Sequence, residues 1–369
     1  MLLNLAEEAG MKYIVPFMKH HTGFCLWPSS YTKRNVYDMC GGKDFAKPLV
    51  EGCKKRGLKF GFYFSLNEWG YPVIQEDGTI ANNDWSEVKP YTPDMEYMQS
   101  GKIAVKEFGK HYALPQAVEF IDRYDPDLIW YDGDWRAKHT FYKSYDIAAY
   151  YYNQAEGRKE VAVSDRYGVA ENGKWLRFVR GDFFCSEYDN MKHLINSHPW
   201  EECRGISQSF GFNWQDTDEN VISSKQFIDM FVDIVSKGGN LLLIVNLDAQ
   251  GALPEIQEKR LKDVGQWLKV NGEGIYSTRA YSTTAEGNIR YTRSKDNKMV
   301  YAISLQWPGK TLQLLSVKPA EHSEIYMLGY DKPLKWSYTD GVTTVSIPQS
   351  LQKESKRPCG HAYTFRIEQ

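Results

Sequence analysis

The stretch Phe45–Phe64, FAKPLVEGCKKRGLKFGFYF, places a helix directly before a strand and decides the fold class. Three residues of 45–56 fall on one helical face, namely Leu49, Val50 and Cys53. Gly57 is typical of a helix end, and the nearly unbroken apolar run over 58–64 is typical of a strand buried on both faces. The stretch therefore predicts one helix–strand unit of a parallel sheet.

The same alternation continues along the chain. We expect strands that begin near residues 11, 58, 127, 161, 182 and 240. Helices are predicted over 97–123, 140–154, 224–237 and 254–270, and residues 66–95 are predicted to form a long loop. Six strands would suit a doubly wound sheet, whereas a (β/α)8 barrel needs eight.

The pattern changes after Gly274. Six short runs of alternating apolar and polar residues follow, separated by turn dipeptides such as Pro308-Gly309 and Asp340-Gly341. This spacing predicts a small antiparallel β-sandwich. We therefore expect two domains, a catalytic domain over 1–276 and a sandwich over 277–369.

Composition excludes several classes of protein. The chain has 369 residues, of which 42% are hydrophobic and 25% charged, so a disordered chain, a collagen and a coiled coil are ruled out. A net charge of −2 gives no reason to expect nucleic acid or an anionic membrane as a partner. The longest apolar run, Leu241–Val245, is too short to span a bilayer. The six cysteines contain no C-x-x-C pair, which argues against a structural zinc site.

Candidate functional residues collect where the predicted strands end, because active sites of parallel α/β proteins lie at that edge. In chain order they are His20, His21, Tyr63, Glu68, Trp69, Trp130, Asp132, Arg166 and Glu187. Two carboxylates that flank a sugar, with aromatic rings to stack on it, are what glycoside hydrolysis requires. Other interpretations stay open for each residue: Asp132 as a turn former, Arg166 as a structural ion-pair partner, Glu187 as a surface glutamate, and the histidines as core groups. We expect no metal at the histidine pair, since adjacent residues at a strand end should point to opposite sides.

Several motifs resemble those of the α-L-fucosidases of glycoside hydrolase family 29. They are Lys19-His-His-Thr-Gly-Phe-Cys-Leu-Trp27, Leu58-Lys-Phe-Gly-Phe-Tyr-Phe-Ser65, Leu128-Ile-Trp-Tyr-Asp-Gly133, Trp200-Glu-Glu-Cys203 and Val235-Ser-Lys-Gly-Gly-Asn-Leu-Leu-Leu243. The resemblance implies a retaining exo-glycosidase with Asp132 as its nucleophile. It offers two acid/base residues, Glu187 and Glu201. We favour Glu187, because we expect it at a strand end and Glu201 in a loop.

The resemblance also implies which residues bind the sugar. They are His20, His21, Trp27, Tyr63, Trp69, Trp130 and Arg166, with Trp135 as a further aromatic. The implied substrate is a fucosylated oligosaccharide or glycoconjugate, with no metal and no cofactor, and a homo-oligomer is left open. Family members are periplasmic, secreted or lysosomal, and any signal peptide would precede residue 1. An inactive carbohydrate-binding remnant of the same fold and a glycosidase of other specificity are the alternatives.

The chain departs from the family pattern at its start. The family has two further barrel strands before the helix at residues 3–9, and these carry a His-Trp-Gly motif and a glutamate. We therefore expect a (β/α)8-like barrel that lacks its first two strands, from an N-terminally incomplete chain, followed by the antiparallel β-sandwich. A second departure, over 246–254, is expected to affect only a loop.

Overall fold

A computed structural model describes residues 2–83, 100–133, 137–167, 181–188 and 198–369. The chain divides into two compact units. The first unit is Met11–Cys185, and the second consists of Met1–Gly10 and Ser186–Gln369. This division does not fall near residue 276, so the predicted domain boundary stays a prediction.

Helices and strands of the described residues are named in chain order. The helices are α1 (Leu2–Glu8), α2 (Val36–Met39), α3 (Ala46–Arg56), α4 (Leu114–Tyr124), α5 (His139–Tyr142), α6 (Ser144–Ala155), α7 (Ser224–Ser236) and α8 (Glu255–Asn271). The strands are β1 (Tyr13–Ile14), β2 (Phe17–Lys19), β3 (Lys59–Ser65), β4 (Tyr71–Ile74), β5 (Ile80–Asn83), β6 (Leu128–Asp132), β7 (Ala162–Val163), β8 (Phe184–Glu187), β9 (Trp200–Gly205), β10 (Gly239–Ile244), β11 (Arg279–Glu286), β12 (Ile289–Arg293), β13 (Met299–Ser304), β14 (Thr311–Leu314), β15 (Ile325–Met327), β16 (Trp336–Thr339), β17 (Val342–Ser346) and β18 (Tyr363–Glu368).

A parallel sheet in the order β1-β3-β6-β7 forms the first unit, and β2 also pairs with β3. The predicted helix–strand unit is confirmed: α3 ends at Arg56 and is capped by Gly57, whose φ of 65° is left-handed, and β3 follows it. The register of β3 with β6 aligns Tyr63 with Trp130 and Ser65 with Asp132. Since the two strands are parallel, their carboxyl ends bring these four side chains to one edge of the sheet.

Three local predictions in the first unit are wrong. The loop expected over 66–95 contains the antiparallel hairpin of β4 and β5, which turns at Gly78 with a φ of 84°. Of the helix expected over 97–123, residues 97–99 lie outside the described residues. In the described part the helix begins with a π-helical turn at Gly109, and Val105 before it forms a bridge with Val73. The helix expected over 140–154 breaks into α5 and α6 at Lys143, whose φ of 58° is left-handed.

A second sheet has the order β10-β9-β8, and its strands β9 and β10 belong to the second unit. Strand β10, predicted from its apolar sequence, is confirmed, and it pairs in parallel with β9 over six residues. We expected Glu201 to lie in a loop, but it belongs to strand β9, whose sequence WEECRG has no apolar run. Trp200 and Cys203 are nevertheless buried in it, and its carboxylates Glu201 and Glu202 are buried with them.

Two antiparallel sheets at the C-terminal end confirm the predicted sandwich topology. Their strand orders are β11-β12-β13-β18-β15 and β14-β17-β16. Strands β11 and β16 were not predicted. The buried side chains that fill this part of the core include Tyr291, Ala302, Leu314, Ile325, Val345 and Phe365. Helix α8 is hydrogen-bonded to the segment just before β18, because the Trp267 indole N–H donates to the carbonyl of Ala362 at 2.9 Å.

No helix in the described part of the chain is long and apolar enough to cross a membrane.

Candidate active site

A single carboxylate, that of Asp132, lies at the centre of the candidate site in the first unit. It is the last residue of β6 and is buried. Its Oδ1 accepts from an Arg166 guanidinium N–H at 2.9 Å and from the Gly133 backbone N–H at 3.0 Å. Its Oδ2 accepts from the Tyr63 hydroxyl. Three donors thus converge on one carboxylate, which stabilises its ionised form and fixes its orientation.

Glycine is required directly after this carboxylate. Gly133 has a φ of 80°, and a Cβ added there would lie 2.5 Å from the Asn67 Cβ and 3.2 Å from the His21 Cε1. The Asp-Gly pair is therefore more than a turn: it lets the chain after β6 pass close to the chain after β3.

Aromatic rings line one side of the carboxylate. The His20 ring stacks on Tyr63 with centroids 5.6 Å apart and planes within 9°. Tyr63 in turn stacks on Trp130 at 5.5 Å and 22°. The Arg166 guanidinium carbon lies 4.8 Å from the Trp130 ring centroid. The stack therefore orients both Tyr63 and Arg166, two of the donors to Asp132, through contacts other than those with Asp132 itself.

Hydrogen bonding determines which ring nitrogen of His21 carries the proton. The Asn67 backbone carbonyl can only accept a hydrogen bond, so the Ser65 hydroxyl must donate to it. The single proton of the Ser65 hydroxyl is therefore used in that bond. The His21 Nδ1, 2.5 Å from the Ser65 Oγ, must therefore be the donor of that contact. In the neutral ring this leaves Nε2 as a bare acceptor, and it lies 3.6 Å from the Asp132 Oδ2.

Both histidines favour the neutral form. Burial, and next the neighbouring His21 charge, lower the pKa of His20 to about 4 against the opposing effect of Asp132. Burial also lowers the pKa of His21, again opposed by Asp132. The expectation that the two rings point to opposite sides is wrong, because they follow the end of β2 in a turn and their centroids are 4.3 Å apart. Neutral imidazoles can accept hydrogen bonds from sugar hydroxyls.

Two tryptophans that were predicted to contact the sugar lie in different surroundings. Trp69 is 39% exposed, and its ring centroid lies 5.2 Å from that of His21. Trp27 is 0% exposed, packs edge-on against Phe120, and donates its indole N–H to Glu119 at 3.0 Å. The structure therefore brings Trp69 to the site but places Trp27 in the core, which corrects its prediction as a sugar contact. Trp135 lies outside the described residues.

The two acid/base candidates belong to the second unit. Glu187 is the exposed last residue of β8. The expectation that Glu201 lies in a loop is wrong, because it is the second residue of β9 and is 3% exposed. Four residues at about 3.3 Å each separate it from the carboxyl end of that strand, a distance of about 13 Å. Only Glu187 therefore has the strand-end position that Asp132 has in the first unit.

Sequence reasoning missed Ser65 as a site residue. It lies two residues after Tyr63 on β3, and side chains two apart on a strand share a face. That periodicity was the available signal. Within the described ranges, no group of three or more His, Cys, Asp or Glu side chains is placed to hold a metal ion.

Comparisons with known proteins agree with this site. A family model described as alpha-L-fucosidase matches residues 1–273, and one described as the alpha-L-fucosidase C-terminal domain matches 282–368. The plasma alpha-L-fucosidase of Rattus norvegicus is 33% identical, over 99% of this chain and 75% of that protein. The tissue alpha-L-fucosidase of Homo sapiens is 30% identical, over 99% of this chain and 73% of that protein.

Solved structures give the same result. The Thermotoga maritima alpha-fucosidase in complex with a mechanism-based inhibitor superposes with a TM-score of 0.78 at 29% identity, covering 100% of this chain and 78% of that one. An alpha-L-fucosidase from Bacteroides thetaiotaomicron, at 24% identity and a TM-score of 0.79, shares the fold. The fold is thus a (β/α)8-like barrel domain followed by an antiparallel β-domain. On the two family models, which together cover most of its length, the chain belongs to the α-L-fucosidase family.

Proposed function

We propose that the chain is a retaining exo-glycosidase that removes terminal α-L-fucosyl groups from glycans, with Asp132 as the nucleophile and Glu187 as the acid/base. The observation that carries the proposal is the Asp132 carboxylate, held at the end of β6 by Arg166, Tyr63 and a backbone N–H. A nucleophilic carboxylate must be ionised and fixed in direction, and these donors provide both.

The reaction takes two displacements. In the first, an oxygen of Asp132 forms a bond to the anomeric carbon while the bond from that carbon to the leaving oxygen breaks, and Glu187 gives its proton to that oxygen. In the second, Glu187 takes a proton from water, the water oxygen attacks the same carbon, and the ester to Asp132 breaks. Two inversions at one carbon give overall retention.

The side chains around the nucleophile bind the sugar. The bare Nε2 of His21 and the neutral ring of His20 accept from fucose hydroxyls. Tyr63 and Trp130, whose rings stack on each other beside the nucleophile, contact the sugar through their ring edges. Trp69, with its ring near the histidines, forms the exposed part of the wall. Fucose carries a methyl where other hexoses carry a hydroxymethyl group, and apolar contacts of this kind discriminate by about 1–3 kcal/mol each.

Hydrolysis of an aryl α-L-fucoside tests the activity. We expect wild type to release L-fucose in the α configuration and Asp132→Asn, which keeps the side-chain shape, to show no turnover. Asp122→Asn, an exposed carboxylate on α4, is the matched control and should keep full turnover. Binding of fucose without hydrolysis by wild type would show instead a carbohydrate-binding remnant, and faster hydrolysis of an α-galactoside would show another specificity.

Chemical rescue tests the acid/base assignment. We expect Glu187→Ala to hydrolyse fucosides with good leaving groups and to be accelerated by azide, because azide needs no general base to attack the intermediate. Glu201→Ala removes a buried carboxylate near the amino end of β9, so we expect lower stability without azide rescue. Rescue of Glu201→Ala but not of Glu187→Ala would overturn the assignment.

A further inference from the structure

A group of buried charges lies behind the histidines in the first unit, apart from the groups that face the sugar. The Glu68 carboxylate lies between two lysines, with its Oε2 3.5 Å from the Lys19 Nζ and its Oε1 3.3 Å from the Lys102 Nζ. All three side chains are fully buried. The Tyr112 hydroxyl donates to the same Oε2 at 2.8 Å. Ionic groups with no exposure to water need such partners to remain in a folded core.

The lysines have different surroundings. Lys19 donates to Gln116 Oε1 at 2.9 Å and lies 4.0 Å from the Phe64 ring centroid. Lys102 donates to the backbone carbonyl of Trp69 at 2.6 Å. Burial lowers the pKa of both lysines, and the Glu68 charge opposes that shift. The Glu68 charge therefore favours the protonated form of Lys102, whose Nζ has three N–H donors, one of which can bond the Trp69 carbonyl.

Backbone contacts connect this group to the sugar-binding wall. Lys19 directly precedes His20 and His21, and Glu68 directly precedes Trp69. The Trp69 N–H donates to the His21 carbonyl at 2.7 Å, while its own carbonyl accepts from Lys102. Both backbone polar groups of Trp69 are thus occupied, one by the histidine segment and one by the buried lysine.

Close packing leaves the carboxylate little room to move. A Cβ added to Gly23, whose φ is 76°, would lie 1.9 Å from the Glu68 Oε1. The turn that follows the histidines therefore passes directly over the carboxylate, and only a glycine fits there.

We propose that Glu68 and Lys102 are positioning residues, which hold Trp69 against the His20–His21 segment and so set the affinity of the sugar-binding wall for fucose. This inference rests on the proposed function, because the ligand is fucose. Neither residue touches the sugar or the reacting atoms in this scheme. They act through the backbone of Trp69, so their loss should weaken binding more than chemistry.

Lys102→Met is the direct test, because it removes the donor to Trp69 and leaves the Lys19–Glu68 pair intact. We expect KM for an aryl α-L-fucoside and the inhibition constant of fucose to rise at least fivefold, with kcat within about twofold of wild type. Lys110→Met, which removes an exposed pair with Glu107, is the matched control and should change neither. Wild-type KM and inhibition constant in a folded Lys102→Met protein would overturn the proposal.

A double variant separates positioning from stability. Glu68→Gln leaves two buried lysines without their carboxylate and should lower stability, whereas Glu68→Gln/Lys102→Met restores the net charge of the group. We expect the double variant to regain stability and to keep the raised KM. If KM returned to the wild-type value together with stability, the role of these residues would be structural only.

Hydrogen exchange gives a readout that needs no fucose. We expect the Trp69 amide to exchange at least tenfold faster in Lys102→Met, while amides of β6 keep their protection. Unchanged exchange at Trp69 would refute the positioning role even in an active enzyme. A different outcome would separate the two proposals. If Trp69 exchanged faster in Lys102→Met but the wild type neither bound nor hydrolysed fucosides, the proposed function and the fucose ligand would be refuted. The positioning of Trp69 by Lys102 would still stand.

Discussion

Gly133→Ala should damage both the stability and the activity of the first unit. The left-handed φ of 80° costs an alanine about 1–2 kcal/mol. The added Cβ would also lie 2.5 Å from the Asn67 Cβ, and overpacking of this kind costs about 1–3 kcal/mol. We therefore expect the free energy of unfolding to fall by about 2–5 kcal/mol in urea titrations.

Relief of that contact must move the backbone beside the nucleophile. Ordinary van der Waals contact begins near 3.4 Å, so the two Cβ atoms must separate by about 1 Å, and misplacement of a catalytic group by that distance costs about 10²-fold in rate. The Gly133 N–H that donates to Asp132 moves with this backbone. We expect kcat/KM for an aryl α-L-fucoside to fall by about two orders of magnitude in the fraction that is folded.

Gly78→Ala separates the steric cost from the conformational one. Gly78 has a nearly equal φ of 84° but no atom within 4 Å of an added Cβ. We expect Gly78→Ala to lower the free energy of unfolding by the same conformational cost, about 1–2 kcal/mol, and to keep wild-type activity. The reasoning about Gly133 would be refuted if its alanine variant matched Gly78→Ala in stability and kept wild-type kcat/KM.

Further predictions concern the charged and aromatic groups of the site. Arg166→Met leaves the buried Asp132 carboxylate without its cation and should lower the free energy of unfolding by about 3–5 kcal/mol in urea. His20, whose pKa is about 4 when folded and 6.5 when exposed, binds its proton more readily in the unfolded chain, so stability should fall as pH drops from about 6.5 to 4. Because His20 is only partly buried, we expect the loss to be about 1 kcal/mol and to be absent in His20→Gln. Trp69→Ala should raise KM about tenfold, on the order of 1.4 kcal/mol, with little change in stability. Trp27→Ala should instead cost about 3–5 kcal/mol of stability and leave KM unchanged.

Controls and contrary outcomes follow from the same contacts. Arg158 pairs with Asp125 at 2.8 Å in an exposed position, so Arg158→Met should cost less than about 1 kcal/mol. An equal cost for Arg158→Met and Arg166→Met would contradict the account of the buried pair. An unaltered acid profile in His20→Gln, or a KM effect in Trp27→Ala, would contradict the other two assignments.

Much of the site was predictable because the active-site residues of parallel sheets lie at the carboxyl ends of the strands. The apolar sequences of β3 and β6 located the ends of those strands, so Tyr63, Trp130 and Asp132 could be named together before their register was known. The tautomer of His21 could not be predicted, since it depends on the Ser65 hydroxyl and on where that hydroxyl donates its own proton.

Strand β9 shows where the sequence misleads. Its three charged residues remove the apolar signal, and it forms a strand because it lies between β10 and β8 in the sheet. The same limit explains why Trp27 was predicted to bind the sugar. It ends a motif that resembles a sugar-binding one, but its ring packs on Phe120 from another part of the chain. Contacts between residues far apart in sequence decide both cases, and no local pattern encodes them.

Trapping of the covalent intermediate tests the central claim that Asp132 is the nucleophile of a retaining fucosidase. A fucosyl fluoride with fluorine at C2 slows breakdown of the ester, because fluorine destabilises the positive charge that develops on the sugar. After incubation and proteolysis, mass spectrometry of the peptide that contains Leu128–Asp132 should show one added fluorofucosyl group, on the Asp132 carboxylate. A label on any other residue, or release of β-L-fucose as the first product of an aryl α-L-fucoside, would contradict it.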